Sequence, residues 1–152
     1  MNQLIGSTSP FSEENRNTLR KIAALLIPKS EEFEVPGADD DAVFTHFIKL
    51  ASGQSNSINK YLEDLNQICR NDHGDSFLKL QNDEQISLLN NSESLLELLL
   101  SYVSLAYYQD PRILSTLSLK SSPPFPGGYN VEQGDWSLLD PVKKRDPFYR
   151  KV

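Results

Sequence analysis

Cys69 and His73 stand four residues apart, a spacing that would set two metal-ligating side chains on one helix face. Two ligands do not make a site, and the only other histidine, His46, falls in a different helical stretch. A core cysteine beside a surface histidine at a helix end is the favoured reading, because free cysteine is among the most buried residue types. Nucleophilic catalysis finds no better support, since no GxSxG elbow occurs. No GxGxxG or GxxxxGK[ST] loop occurs either, and Gly127-Gly128 sits in a proline-rich stretch with no helix after it. The chain therefore brings no phosphate cradle of its own. The acidic segment from Glu31 to Asp41 lacks the alternating ligands and central glycine of a calcium loop, and reads as solvated. Lys143-Lys144-Arg145 is flanked by Asp140 and Asp146, which makes it weak as a targeting or phosphate patch. No catalytic, cofactor-binding or metal-binding residue is expected in this chain.

What stands out instead is the C-terminal stretch from Ser121 to Val152. It holds five of the nine prolines, three of the seven glycines, the single tryptophan and five of the fourteen aromatic residues. A solvated linker is poor in large apolar side chains. Aromatic rings on a proline-stiffened segment give contact area at low entropic cost, as binding hot spots do. The tail is read as a partner-binding segment, with Phe125, Tyr129, Trp136, Phe148 and Tyr149 as its contacts and Tyr107 and Tyr108 added from the body. The competing reading is a tail that folds back over its own core with Trp136 as the plug.

The elements that would carry these residues are helical. In FSEENRNTLRKIAALLIP, Ser12 is a good N-cap and Leu19, Ile22, Ala23 and Leu26 recur on one face until Pro28. One of Asp39–Asp41 caps the next helix, AVFTHFIKLAS, which turns Val43, Phe44, Phe47, Ile48 and Ala51 inward. A third helix covers about Ser57 to Asn71 and breaks at His73-Gly74-Asp75. A short helix capped near Asn82 follows. SESLLELLLSYVSLAYYQD, apolar almost all round, is expected to be central. Pro111 restarts a short helix to about Leu117. The expected fold is all-α, five or six helices over residues 1–120, followed by an extended tail over 121–152.

At 152 residues the chain has room for one domain with a modest core. The net charge of −6 disfavours nucleic acid, and it is carried by the body, since the tail alone is slightly basic. One cysteine allows no internal disulfide. The start, MNQLIGSTSPFSEEN, has neither a basic opening nor an apolar run, so no secretory leader is expected. Leu95 to Tyr108 is too short and too polar to cross a bilayer. A cytoplasmic location is expected.

AALLIP at Ala23–Pro28, VPGADDDAVFTHFI at Val35–Ile48, SLAYYQDPR at Ser104–Arg112 and PPFPGGY at Pro123–Tyr129 form an ordered set. In these stretches, and in helix order along nearly its whole length, the chain resembles the gluconate 2-dehydrogenase subunit 3 family. These are small subunits that accompany flavin-dependent oxidoreductases of the glucose-methanol-choline class. The resemblance implies a helical subunit without a cofactor of its own. It would bind, stabilise and help fold a large FAD-containing catalytic subunit that oxidises alcohols, sugars or sugar acids. It also implies that a cytochrome c subunit often completes the complex, and that many members carry a twin-arginine leader to the periplasm. The chain as written shows no such leader, which favours a cytoplasmic complex over an exported one. A standalone helical adaptor that uses the same tail on an unrelated protein is the alternative.

Overall fold

Ser12 turns out of extended backbone and its hydroxyl accepts from the Asn15 amide, which starts α1 (Glu13–Leu26). Asp40 does the same for α2 (Asp41–Ala51) by accepting from the Ala42 amide. A 3-10 turn at Ser52–Gln54 leads straight into α3 (Ser55–His73). Gly74, at φ 72°, closes α3 in the left-handed conformation that glycine adopts without strain. α4 (Asn82–Asn91) opens with a reciprocal capping box, the Gln81 side chain to the Glu84 amide and the Glu84 carboxylate to the Gln81 amide. α5 (Glu93–Tyr108) follows, and α6 (Pro111–Thr116) is capped by Asp110 with proline at its first position.

The computed structural model describes residues 9–121, 128 and 134–146. The chain divides into two units, Met1–Ser121 and Ser122–Val152. The first holds α1 to α6 and is all-α, as the sequence pattern predicts; among the described residues no strand forms, and Ser30 and Val35 make an isolated antiparallel bridge. In the second, a 3-10 turn at Trp136–Leu139 runs into one turn of helix, α7 (Asp140–Lys143). The Asp135 carboxylate accepts from the Ser137 amide to start that turn.

The core of the first unit is built between α2 and α5, the pair that packs most extensively, with α1 and α3 closing it. Phe44 and Phe47 of α2 meet edge to face, 5.9 Å between ring centroids, and both are fully buried. Around them lie Leu19 and Ile22 of α1, Ile58 and Leu62 of α3, and Leu99 and Val103 of α5. α5 is central, as expected, and packs against α2, α4, α1 and α6. It still keeps an open side: Leu95, Leu99, Val103, Ala106 and Tyr107 face inward, while Leu100, Leu105 and Tyr108 are exposed.

Candidate partner-binding surface

The side chains that could have done chemistry are committed elsewhere. Cys69 is fully buried, and burial pushes its thiol pKa up. His73 turns its Nδ1 to the Glu84 carboxylate at 3.4 Å. Among the described residues, no three His, Cys, Asp or Glu side chains gather as metal ligands would. Lys143, in the basic run of the tail, reaches Asp140 at 3.6 Å.

Three of the quoted stretches meet at one place in the fold. In the aspartate run, the Arg20 guanidinium of α1 donates to the Asp39 carbonyl at 2.8 Å and to the Asp41 carboxylate at 2.7 Å, while lying 4.2 Å from the Phe44 ring centre. Asp40 is left for Arg112. That guanidinium forks between two helix caps: Nη2 donates to Asp40 Oδ1 at 2.6 Å and to Asp110 Oδ2 at 2.8 Å, and Nε donates to Asp110 Oδ1 at 3.0 Å. The two carboxyls are held below the usual carboxylate range, chiefly by their hydrogen bonds to Arg112, and the guanidinium is held more firmly protonated by both. Arg112 thus ties the start of α2 to the start of α6.

A second tie runs beside it. The Tyr107 hydroxyl donates to the Pro36 carbonyl at 3.0 Å, and the Ala38 amide donates to the Ile27 carbonyl at the end of α1 at 2.9 Å. Gly37 lies between them because nothing larger fits. A Cβ there would meet the Asp39 carboxylate at 2.5 Å and the Lys29 amide nitrogen at 2.9 Å. AALLIP, VPGADD and YYQDPR are therefore the parts of one junction between α1, α2 and the α5–α6 corner.

This junction presents a surface. The Ser30–Val35 bridge closes a tight turn in which the Phe33 amide donates to Ser30 Oγ and Glu34 takes up a left-handed φ of 52°. The turn pushes Phe33 outward, where it is 62% exposed. Across from it, α6 ends in a Schellman motif, with Leu119 N donating to Leu114 O and Ser118 N to Ser115 O. Ser118 occupies its left-handed position at φ 58°, where glycine is usual. Between these two turns, Phe33, Val35, Tyr107, Tyr108, Ile113 and Leu117 line an apolar groove. A non-glycine residue in the left-handed region costs on the order of 1 kcal/mol. Among the described residues only Glu34 and Ser118 bear that cost, and both border this groove.

The residues expected to bind a partner are distributed as follows. Tyr107 is 5% exposed, its hydroxyl bonded inside the junction and its phenol pKa raised by burial. Tyr108 is 55% exposed, its ring edge to face with that of Tyr107 at 5.4 Å. Successive helical side chains point about 100° apart, so only one of the pair can face solvent fully. Trp136 stands on the 3-10 turn of the second unit. Phe125, Tyr129, Phe148 and Tyr149 lie outside the described residues. Sequence reading missed Phe33, Leu117 and the groove they form. The signal available for Phe33 was an aromatic residue placed among glutamates in a segment otherwise read as solvated.

Searches among curated proteins and among solved structures gave no match. A family model does match, over residues 13–127, and that span takes in α1 to α6 and the whole junction. The chain belongs to the gluconate 2-dehydrogenase subunit 3 family.

Proposed function

We propose that this chain is the non-catalytic small subunit of a flavin-dependent oxidoreductase complex acting on alcohols, sugars or sugar acids. Its work is to bind the large catalytic subunit, to help it fold and to stabilise it. The family match over residues 13–127 carries this reading. The exposed apolar surface at the α5–α6 corner supports it, because a contiguous apolar patch on a soluble domain marks an interaction site. The commitment of Cys69 and His73 to burial and to a carboxylate supports the absence of chemistry in this chain. On this reading FAD resides in the large subunit and accepts the hydride there, and this chain supplies contact area rather than a reacting group. The aromatic tail adds a second contact, with Trp136 as an anchor.

The test is co-expression with a large flavoprotein subunit from the same genome, with the affinity tag on the small chain. The reading expects a yellow complex of fixed stoichiometry. A small chain that elutes alone, with the flavoprotein untouched, would overturn it.

A further inference from the structure

We infer that the groove between Phe33 and Leu117 is the seat for one segment of the catalytic subunit, an apolar side chain carried between lysine or arginine residues. The inference rests on the subunit reading above and says which surface is used and what sits in it.

Three observations point the same way. The groove is apolar and open, with Phe33, Tyr108 and Leu117 each more than half exposed at 62%, 55% and 52%. Both of its borders are turns held in left-handed backbone by ordinary residues, Glu34 and Ser118. Strain of this kind persists where surrounding structure enforces it, and it gathers at ligand clamps. A fold that needed only to connect α1 to α2 and to end α6 would gain by placing glycine at Glu34 and Ser118. The Phe33 border is also acidic. The turn that lifts Phe33 carries Glu31, Glu32 and Glu34, all exposed. Glu31 has a loose 3.8 Å contact with Lys29, and Glu32 and Glu34 have no ion-pair partner among the described residues. Arg112, the guanidinium of the junction, is already shared by two carboxylates.

That charge chooses the occupant. In a symmetric pair of this chain the same patch meets itself, so the two glutamate turns would repel each other and a second copy is disfavoured. A segment with an apolar anchor and flanking cations fills the groove and meets the rim with opposite charge. Rim charges of this type act mainly on association rate and on salt dependence, while the anchor acts on dissociation.

The experiment uses the co-expressed complex and the full chain. Phe33→Ala and the triple variant Glu31→Lys, Glu32→Lys, Glu34→Lys are compared with wild type and with Leu100→Ala, exposed on α5 away from the groove. Melting curves first establish that each variant folds. Each co-expressed complex is then immobilised through its catalytic subunit, and release and rebinding of the small chain are followed by interferometry between 50 and 300 mM salt, concentrations of roughly the range over which surface charge is screened. Phe33→Ala is expected to weaken binding more than tenfold, mostly by faster dissociation. The triple variant is expected to associate about tenfold more slowly at low salt and to lose its salt dependence. Leu100→Ala should bind as wild type does. A benzophenone photo-crosslinker at position 33 should join a catalytic-subunit peptide with Lys or Arg close to the joined residue. Equal binding by all variants, or a crosslink to an acidic segment or to a second copy of this chain, overturns the groove while leaving the subunit reading intact. A wild-type chain that does not bind the catalytic subunit at all overturns both.

Discussion

Replacing Arg112 with methionine removes the charge that joins two helix caps while keeping most of the side-chain volume. The cluster is unevenly buried: the Asp110 side chain is 8% accessible, against 49% for Arg112 and 30% for Asp40. A fully buried pair broken on one side would cost about 3–5 kcal/mol, and a fully exposed one below about 1. Asp110 also keeps one bond after the change, from the Arg112 backbone amide at 2.9 Å. The loss is then about one charge-assisted bond to each carboxylate, discounted for screening, or about 2 kcal/mol in all. For a domain of this size that corresponds to a fall in Tm of about 4–8 °C.

The pH dependence makes the test sharper. Both carboxyls have folded-state values held down, mainly by Arg112, so their contribution is complete above the unfolded carboxylate value of about 4. It drains away as pH falls through the lower folded values. Circular dichroism melts of wild type and Arg112→Met should therefore differ by the full amount at pH 7 and converge below about pH 4. A variant melting within 1 °C of wild type at pH 7, or a gap that persists unchanged into acid, an outcome at odds with about 2 kcal/mol from this clip, would refute the reasoning.

Three further outcomes follow from the same geometry. Gly37→Ala should destabilise the domain by about 2 kcal/mol in urea unfolding, because the new methyl group meets the Lys29 amide nitrogen at 2.9 Å and the backbone must shift. Ser118→Gly should raise stability by about 0.5–1 kcal/mol in the same assay, since it relieves a left-handed φ of 58° at a Schellman position. Trp136→Ala should weaken co-purification with the catalytic subunit at least tenfold, about 1.4 kcal/mol, and leave the helical signal and melting of the six-helix unit unchanged; a collapse of that signal would instead make the tail a lid on its own core.

The helices were legible where local rules decide them. Ser12 capping, the Leu19–Ile22–Ala23 stripe, the Asp cap before Ala42 and Pro111 at a helix start all act within one turn of chain. Where the reading slipped, the deciding contact was distant or the local signal equivocal. The third helix is expected from about Ser57, yet a 3-10 turn runs straight on from α2, so that α3 begins at Ser55. Leucines on every side of α5 mark it as central, and it is, but its neighbours leave Leu100 and Leu105 open, a detail its composition does not encode. The aspartate run signalled a cap, and which of the three aspartates serves depends on Arg112, 72 residues later in the chain. The groove depends on a turn near residue 33 meeting a helix end near residue 117, a pairing no periodicity encodes. Tyr107 and Tyr108 are both expected at the partner surface, although the helical repeat alone separates them into an inward and an outward ring.

The central claim is that this chain exists to hold a flavoprotein in its working form, and the most direct measurement is flavin per catalytic subunit. The large subunit is to be expressed with and without the small chain, and FAD absorbance is read against protein in each soluble fraction. The account predicts near-stoichiometric flavin in the co-expressed sample and a poorly soluble, flavin-depleted large subunit when it is made alone. A large subunit that is equally soluble and equally flavin-loaded without its small companion would contradict it.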